Sequence, residues 1–326
     1  MKKSVWLVSF LLVMSMFLAA CSGDEEGTGN AESPSGDGDY VAIVSKGFQH
    51  QFWQSVKDGA DAAAEEFGVQ VTFEGPESES QVDKQMEMLR AALDKNPKAI
   101  GFAALDSKAA LPLLEEADGK DIPIIAFDSG VDSDIPLSTA STDNKAAAAL
   151  AADKMAELIG EEGKIAMVVH DQTSVTGVDR RDGFVEQIES AYPNIEIVDI
   201  QYGGGDHLKS TDLAKAMMSA HSDLKGIFGT NEGSAIGVVN AVRELNKAGD
   251  LTVVGFDSGK AQIDAIKDGL MAGAVTQNPY GIGYETVKAA VAAIAGEEVE
   301  EVIDTGFLWY DSENLEDEDV QSAIYE

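Results

Sequence analysis

Two carboxylates follow apolar runs of the same form. Asp128 lies near the end of IPIIAFDSG, and Asp257 lies near the end of LTVVGFDSG. A short apolar, β-branched run that stops at turn residues is typical of a buried strand in a parallel sheet, and ligands of open α/β sheets bind beyond the carboxyl ends of the strands. The pair therefore predicts one hydrogen-bonding carboxylate in each of two similar lobes. The alternative is that each Asp only caps the helix that follows it.

Further side chains suited to hydroxyl groups follow other predicted strands. Aromatic rings stack on the apolar faces of sugar rings, amides and imidazoles exchange hydrogen bonds with hydroxyls, and the arginine fork suits paired oxygens. The candidates are Gln49, His50, Phe52 and Trp53 in FQHQFW, Arg180 in DRRDGF, Asn231 in FGTNEG and Gln277 in VTQNP. With the two carboxylates, they predict a cleft for a neutral, polyhydroxylated ligand.

Each of these groups also has a simpler interpretation, which the sequence leaves open. Phe52 and Trp53 are typical of the start of a core-facing helix. Asn231 is a common helix cap, and Arg180 has acidic neighbours with which it would form a solvated ion pair.

An alternation of strand and helix patterns positions the candidates. It predicts an α/β fold of two doubly wound parallel-sheet lobes with right-handed crossovers, joined by a hinge, with the ligand cleft between them. Strands are expected at 40–45, 69–74, 99–104, 122–127, 164–169, 195–201, 225–229, 251–256 and 272–276, with an extended stretch at 299–309. Helices are expected at 51–67, 79–94, 107–117, 145–159, 178–190, 207–220, 232–247, 259–268 and 281–295, with a polar loop at 132–144 and a surface tail at 311–326.

The N-terminus predicts a lipid-anchored protein. Residues 1–20 have a basic start, an apolar run too short to span a membrane and small residues before Cys21, as in a bacterial lipoprotein signal. Cys21 is the only cysteine, and we expect it to be the lipidation site; a simple secretory signal that happens to end at a cysteine is the alternative. Residues 21–39 contain no large apolar side chain and are expected to form a flexible tether. The protein would then lie outside the cytoplasm on the outer face of the cell membrane, and would contact that membrane only through its lipid.

Charge and motif content exclude several classes of function. The formal net charge of −35 argues against nucleic acid and against docking onto anionic lipid. The sequence has no nucleophile elbow, phosphate-binding loop or dinucleotide motif after a strand. Its four histidines have no metal-ligand spacing. We expect no catalytic residues, no cofactor and no metal.

The body from about residue 40 to 309 resembles the periplasmic-binding-protein type 1 group, especially ribose-binding proteins and other sugar-binding proteins of ABC importers. The matching stretches are FWQSVKDGA, IPIIAFDSG, STDN, RRDGF, FGTNE, VVGFDSG and VTQNP. The resemblance implies hinge closure on a ligand and delivery to ABC permease subunits. It implies sugar contacts by Phe52, Trp53, Asp128, Arg180, Asn231, Asp257 and Gln277.

The sequence departs from the ribose-binding pattern at three places. Ser129 stands where that pattern has Arg, and His50 stands where it has Asn. The aromatic expected near residues 205–207 is missing unless Tyr202 replaces it. The resemblance therefore implies a pentose, hexose or related polyol, with ribose itself in question.

The resemblance also implies the division into lobes. The chain would cross between them near residues 142, 277 and 303, which gives one lobe of 40–142 with 278–303 and another of 143–277 with 304–326. We expect a monomer that is not an enzyme. The alternatives are a sensory receptor for a sugar or furanose signal that feeds a membrane kinase or chemoreceptor, a nucleoside-binding lipoprotein, a glycoside hydrolase and a lactose-repressor-type regulator.

Overall fold

The computed structural model describes residues 38–325. The predicted signal, the lipidation site Cys21 and most of the predicted tether lie outside these residues. Within the described part of the chain, no helix has the length and apolar character needed to cross a membrane.

The first lobe is built on a six-stranded, wholly parallel sheet with the strand order β11-β5-β4-β3-β1-β2. Its strands are β1 (Tyr40–Val44), β2 (Gln70–Glu74), β3 (Ala99–Phe102), β4 (Ile124–Phe127), β5 (Ser138–Ser141) and β11 (Val302–Asp304). Its helices are α1 (Gln51–Phe67), α2 (Val82–Asp94), α3 (Leu111–Asp118) and α9 (Pro279–Ile294). Successive β1 residues point to opposite faces, so Val41 and Ile43 pack with α1 and α9, whereas Ala42 and Val44 pack with α2 and α3.

The second lobe repeats this plan on another six-stranded sheet, with the order β12-β10-β9-β8-β6-β7. Its strands are β6 (Gly163–Val169), β7 (Ile195–Tyr202), β8 (Leu224–Gly229), β9 (Thr252–Phe256), β10 (Gly273–Gln277) and β12 (Phe307–Asp311), which is antiparallel to β10. Its helices are α4 (Asn144–Ile159), α5 (Val175–Ala191), α6 (His207–Ala220), α7 (Glu232–Glu244), α8 (Lys260–Lys267) and α10 (Glu318–Gln321). Helices α4 and α5 cover one face, and α6, α7 and α8 cover the other.

The predicted fold of two doubly wound α/β lobes is confirmed. The chain passes from one sheet to the other after β5, after β10 and after β11. We propose that the lobes divide at these passages, close to the crossovers predicted near residues 142, 277 and 303, and that the three segments form the hinge.

Two local predictions were wrong, and a predicted extended stretch is divided between the sheets. The segment 132–144, expected to be a loop, contains β5, whose Ser-Thr-Ala-Ser sequence has no large apolar residue to mark it as a strand. The stretch 299–309 contains strands, as expected, and it is divided between the two sheets, with β11 in one and β12 in the other. Helix α2 begins at Val82, so that Glu79 lies in the loop before it.

The acidic tail is not a surface segment throughout. Leu315 and Val320 are buried and belong to the core of the second lobe. The Tyr325 hydroxyl accepts a hydrogen bond from the Ser258 N–H at 3.2 Å, and its ring packs edge-on against Phe52. The prediction failed because a few apolar residues, widely spaced among acidic ones, anchor this segment.

Candidate functional site

The lobes meet around one small cavity at the carboxyl ends of the strands. Eight of the ten predicted ligand contacts line it, namely His50, Phe52, Trp53, Asp128, Arg180, Asn231, Asp257 and Gln277. The volume of the cavity is about 20 Å³, which is room for about one water molecule. The described conformation is therefore more tightly closed than one that holds a sugar.

The other two predicted contacts lie beside the lining. Gln49 Nε2 donates to the Gly205 carbonyl at 3.2 Å, across the two lobes. The Ser129 hydroxyl is buried, and no described residue is its hydrogen-bond partner. A ligand-binding role for Gln49 and Ser129 stays a prediction.

Asp128 and Asp257 have the same backbone conformation. Each directly follows a strand, and each has a left-handed backbone, with φ of 54° and 79° respectively. This conformation is uncommon for residues other than glycine and persists where the surroundings fix it. The N–H of Asp128 donates to the Ala140 carbonyl, and that of Asp257 donates to the Val275 carbonyl. The neighbouring strand thus holds each turn so that the carboxylate faces the cavity.

Neither carboxylate caps a following helix, and after Asp128 the next element is the strand β5. Helix α8 begins after Gly259, which has no side chain to act as a cap. Asp257 instead accepts from Gln277 Nε2 at Oδ1, at 2.7 Å, and from the Glu232 N–H at Oδ2, at 2.8 Å. Burial raises the pKa of Asp257, against the lowering effect of the Arg180 charge.

Asp128 is paired with Lys46, a residue that the sequence reasoning missed. Lys46 Nζ lies 3.5 Å from Asp128 Oδ2 and donates to Thr176 Oγ1, in the other lobe, at 2.9 Å. Burial tends to lower the pKa of Lys46, but nearby carboxylates, Asp128 foremost, raise it overall. Burial raises the pKa of Asp128. The position of Lys46 just after a predicted strand, in a chain with few cations, is the sequence feature that could have identified it as a cavity residue.

Arg180 lies in the cavity wall, but not in the way expected. Its Nε donates to Asn144 Oδ1 at 2.7 Å and its Nη1 donates to the Thr230 carbonyl at 2.9 Å. Its guanidinium lies 3.8 Å from the centre of the Phe256 ring. Among the described residues it makes no ion pair with Asp257, because these neutral groups fix its position. The solvated ion pair, suggested as an alternative, is formed instead by Arg181 with Asp182.

Asn231 acts both as a helix cap and as part of the cavity wall. Its Oδ1 accepts from the Ser234 N–H at 2.9 Å, and its Nδ2 donates to Glu79 Oε2, in the other lobe, at 3.2 Å. Glu79 was missed, because the sequence placed it in a helix. Burial alone raises the pKa of Glu79, but the neighbouring His50 and the Lys46 ammonium lower it overall.

The aromatic pair serves both the core and the cavity. Phe52 and Trp53 meet edge-on, with ring centres 4.9 Å apart, and pack in the core of the first lobe. Trp53 Nε1 donates to Glu79 Oε1 at 2.8 Å, which fixes the orientation of the indole. The core-facing interpretation of this pair is confirmed, and its stacking on a sugar stays a prediction.

Two neutral histidines complete the cavity. Burial lowers the pKa of His170 to about 3, and its ring nitrogens contact the hydroxyls of Thr230 and Thr176. Burial also lowers the pKa of His50. Gln49 Nε2 donates to His50 Nε2 at 2.9 Å, so the proton of the neutral His50 ring lies on Nδ1. His170 was the third lining residue that the sequence reasoning missed.

The missing aromatic near residues 205–207 is not replaced by Tyr202. Tyr202 contacts Arg181 through its hydroxyl and is not part of the lining. Gly205 has a left-handed φ of 65°, and a Cβ there would lie 2.9 Å from Glu79 Oε2. The Glu79 carboxylate thus occupies the space next to this position.

Comparisons with known proteins agree with this architecture. Residues 41–298 match the periplasmic binding protein domain family. The D-allose-binding periplasmic protein of Escherichia coli (strain K12) is 29% identical over 260 residues, which are 77% of this chain and 83% of that protein.

Two solved structures share the fold closely. An ABC transporter solute-binding protein from Agrobacterium vitis, bound with alpha-D-tagatopyranose, is 30% identical with a TM-score of 0.85, over 88% of this chain and 99% of that chain. A second such protein from Agrobacterium vitis, with bound D-fucose, is 32% identical with a TM-score of 0.85, over 88% of this chain and 100% of that chain. The chain therefore belongs to the periplasmic binding protein family, in the ribose-binding-like type 1 group of non-enzymatic, extracytoplasmic sugar-binding proteins.

Proposed function

We propose that this protein captures one monosaccharide, a pentose, a hexose or a related polyol, by closing its lobes, and delivers it to the permease of an ABC importer. The supporting observation is a set of buried polar atoms in the cavity lining that have no hydrogen-bond partner among the described residues. They are His50 Nδ1, Gln277 Oε1 and Asp128 Oδ2, and of these only Asp128 Oδ2 has a counter-charge nearby, the Lys46 ammonium at 3.5 Å. An unpaired buried polar group costs about 1–3 kcal/mol, so a bound ligand that pairs with all three gains affinity.

These atoms have the polarity that sugar hydroxyls require. His50 Nδ1 carries a proton and donates. Gln277 Nε2 is committed to Asp257, which leaves Gln277 Oε1 as an acceptor, and Asp128 Oδ2 is a second acceptor. A hydroxyl group both donates and accepts, so the hydroxyls of a polyol can pair with all three atoms. The rings of Phe52 and Trp53 would cover an apolar face of the same ligand.

The charges of the lining favour a neutral ligand. Lys46 is already paired with Asp128, and both carboxylate oxygens of Asp257 already accept hydrogen bonds. An anionic ligand would meet three carboxylates, those of Glu79, Asp128 and Asp257. The sugars named for the relatives support the same class. We also propose Lys46, Glu79 and His170 as contacts, besides the ten predicted from the sequence.

We propose further that the protein is a monomer, and that the lipid on Cys21 holds it at the outer face of the cell membrane. The proposal of a lipid anchor rests on the sequence of residues 1–39. Mass spectrometry of the protein isolated from membranes tests it. A diacylglyceryl-modified Cys21 as the N-terminal residue is expected, and an unmodified chain in the soluble fraction would contradict it.

A thermal-shift and calorimetry panel tests the ligand class. It would contain D-allose, D-tagatose, D-fucose, D-ribose, a polyol and two nucleosides. A rise in melting temperature with at least one sugar is expected, because a ligand that binds only the folded state stabilises it. A response to the nucleosides alone would refute the sugar proposal.

A further inference from the structure

Two helices at the cleft begin without a cap from their own N-terminal residue. Helix α1 starts after His50, whose side chain makes no capping hydrogen bond, and α8 starts after Gly259. The first N–H groups of a helix have no partner within the helix. Both helix starts are therefore satisfied from elsewhere, by water or by another part of the protein.

The partners come from the opposite lobe. The carboxylate of Glu232, in the second lobe, accepts from the N–H of Gln51 at Oε1 and from the N–H of Phe52 at Oε2, each at 3.2 Å. In return, Gln51 Oε1, in the first lobe, accepts from the Lys260 N–H at the start of α8 at 2.7 Å. Each lobe thus caps a helix of the other, and the Glu232 carboxylate that does so is buried.

We propose that Glu232 and Gln51 are positioning residues that hold the lobes closed by capping helices across the cleft. These hydrogen bonds exist only when the lobes are together. Hinge opening would break all three at once and expose the first N–H groups of both helices.

Glu232 also links the two sides of the cavity. Its own N–H holds Asp257 Oδ2, while its side chain holds the turn of α1 that carries Phe52 and Trp53. Glu232 therefore sets the distance between the Phe52 and Trp53 rings and the Asp257 carboxylate, although Glu232 itself does not line the cavity.

Gly259 is the residue that lets the two caps meet. Its backbone is ordinary, but a Cβ at this position would lie 2.9 Å from Glu232 Cδ and 3.1 Å from Gln51 Oε1. An alanine at 259 would therefore displace both capping groups without removing either one.

The proposal rests on the hinge closure of the proposed function, and amide exchange tests the caps separately from ligand binding. The experiment uses the full chain at pH 8 and follows amide hydrogen exchange by NMR without ligand. We compare the wild type with Glu232→Ala, Gln51→Ala and Gly259→Ala. The control is Asp206→Ala, which removes a cap from α6 that lies within one lobe.

The expected pattern is reciprocal. Glu232→Ala speeds exchange of the Gln51 and Phe52 amides about tenfold, the effect of losing an ordinary helix cap. Gln51→Ala speeds exchange of the Lys260 amide by a similar factor, and Gly259→Ala speeds exchange at the starts of both α1 and α8. Asp206→Ala affects only the start of α6. Unchanged exchange at 51–52 in both Glu232→Ala and Gly259→Ala would overturn the proposal.

Stopped-flow binding of D-allose, used as the probe, measures the rate of ligand release. A purely local loss of helix stability would leave this rate unchanged. Glu232→Ala and Gly259→Ala should release D-allose about tenfold faster with an unchanged association rate, since the caps form after closure. Equal dissociation rates in these variants and the wild type would overturn the positioning role. If the wild type binds no sugar of the panel and does not become more compact in small-angle scattering, the proposed function is wrong. The amide exchange without ligand would still show whether Glu232 and Gln51 cap helices across the cleft.

Discussion

Asp128 and Asp257 hold equivalent, left-handed positions at strand ends of the two lobes, yet their carboxylates are paired differently. Asp128 lies 3.5 Å from the Lys46 ammonium, whereas Asp257 is held by an amide and a main-chain N–H. The two turns are alike because a neighbouring strand fixes each of them. The partners differ because they come from separate parts of the chain, and this difference makes the two ends of the cavity chemically distinct.

Arg180→Ala should abolish the rise in melting temperature that the bound sugar gives. The change removes a buried guanidinium from the cavity wall and leaves the Thr230 carbonyl and Asn144 Oδ1 without their donors. Thermal shift and calorimetry with the sugar identified by the panel measure it. Arg181→Ala is the matched control, since Arg181 pairs with Asp182 outside the lining. Equal affinities in the two variants would contradict the site assignment.

Lys46→Met should lower the free energy of unfolding by about 3–5 kcal/mol at pH 7, because it leaves the buried Asp128 carboxylate without its counter-charge. The double variant Lys46→Met, Asp128→Asn should recover much of this loss. Urea unfolding of the single and double variants gives the coupling energy. Additive effects would show that the two residues are not energetically paired.

Gly205→Ala should weaken sugar binding and destabilise the fold by about 1–3 kcal/mol. The new Cβ meets Glu79 Oε2 at 2.9 Å, and the left-handed backbone, with a φ of 65°, is unfavourable for alanine. Gly130→Ala serves as the control, because nothing lies within 4 Å of a Cβ at that glycine and its φ is not left-handed. Calorimetric titration and urea unfolding check both variants. A neutral Gly205→Ala would show that Glu79 does not occupy this space.

Stability should depend on pH through Glu232. Burial and the charge of Asp257 raise the pKa of Glu232 from its ordinary value of 4.5 to about 7. Glu79 also raises it, and the N–H groups of Gln51 and Phe52 lower it. A pKa that is higher in the folded state gives stability that is fully present below about 4.5 and lost as the pH rises through about 7.

The comparison with Glu232→Gln, which does not titrate, isolates this effect. The free energy of unfolding of the wild type minus that of the variant should fall between pH 5 and pH 8 by up to about 3 kcal/mol, since one pKa unit corresponds to about 1.4 kcal/mol. Urea unfolding at each pH measures it. A difference that stays constant across this range would show that Glu232 does not titrate there.

The sequence by itself determined the two-lobed fold and the location of the cleft. Alternating strand and helix patterns specify parallel sheets, and parallel sheets bring the carboxyl ends of their strands to one edge. Residues directly after those strands, such as Asp128, Asp257 and Asn231, could therefore be assigned to one cavity from local patterns alone. The capping alternative was also correct for Asn231, since a single side chain has atoms for both tasks.

Only the tertiary structure decided which groups are partners. Arg180 binds Asn144 and Thr230 instead of Asp257, Glu79 reaches Asn231 across 152 positions of sequence, and Glu232 caps a helix of the other lobe. The acidic tail docks through Tyr325 for the same reason. No local periodicity encodes these contacts, because they depend on how the lobes meet, and the same residue types on separate surfaces would be solvated. The way in which the two lobes meet thus determines the chemical character of the cavity. The order of strands and helices determines where in the fold the cavity lies.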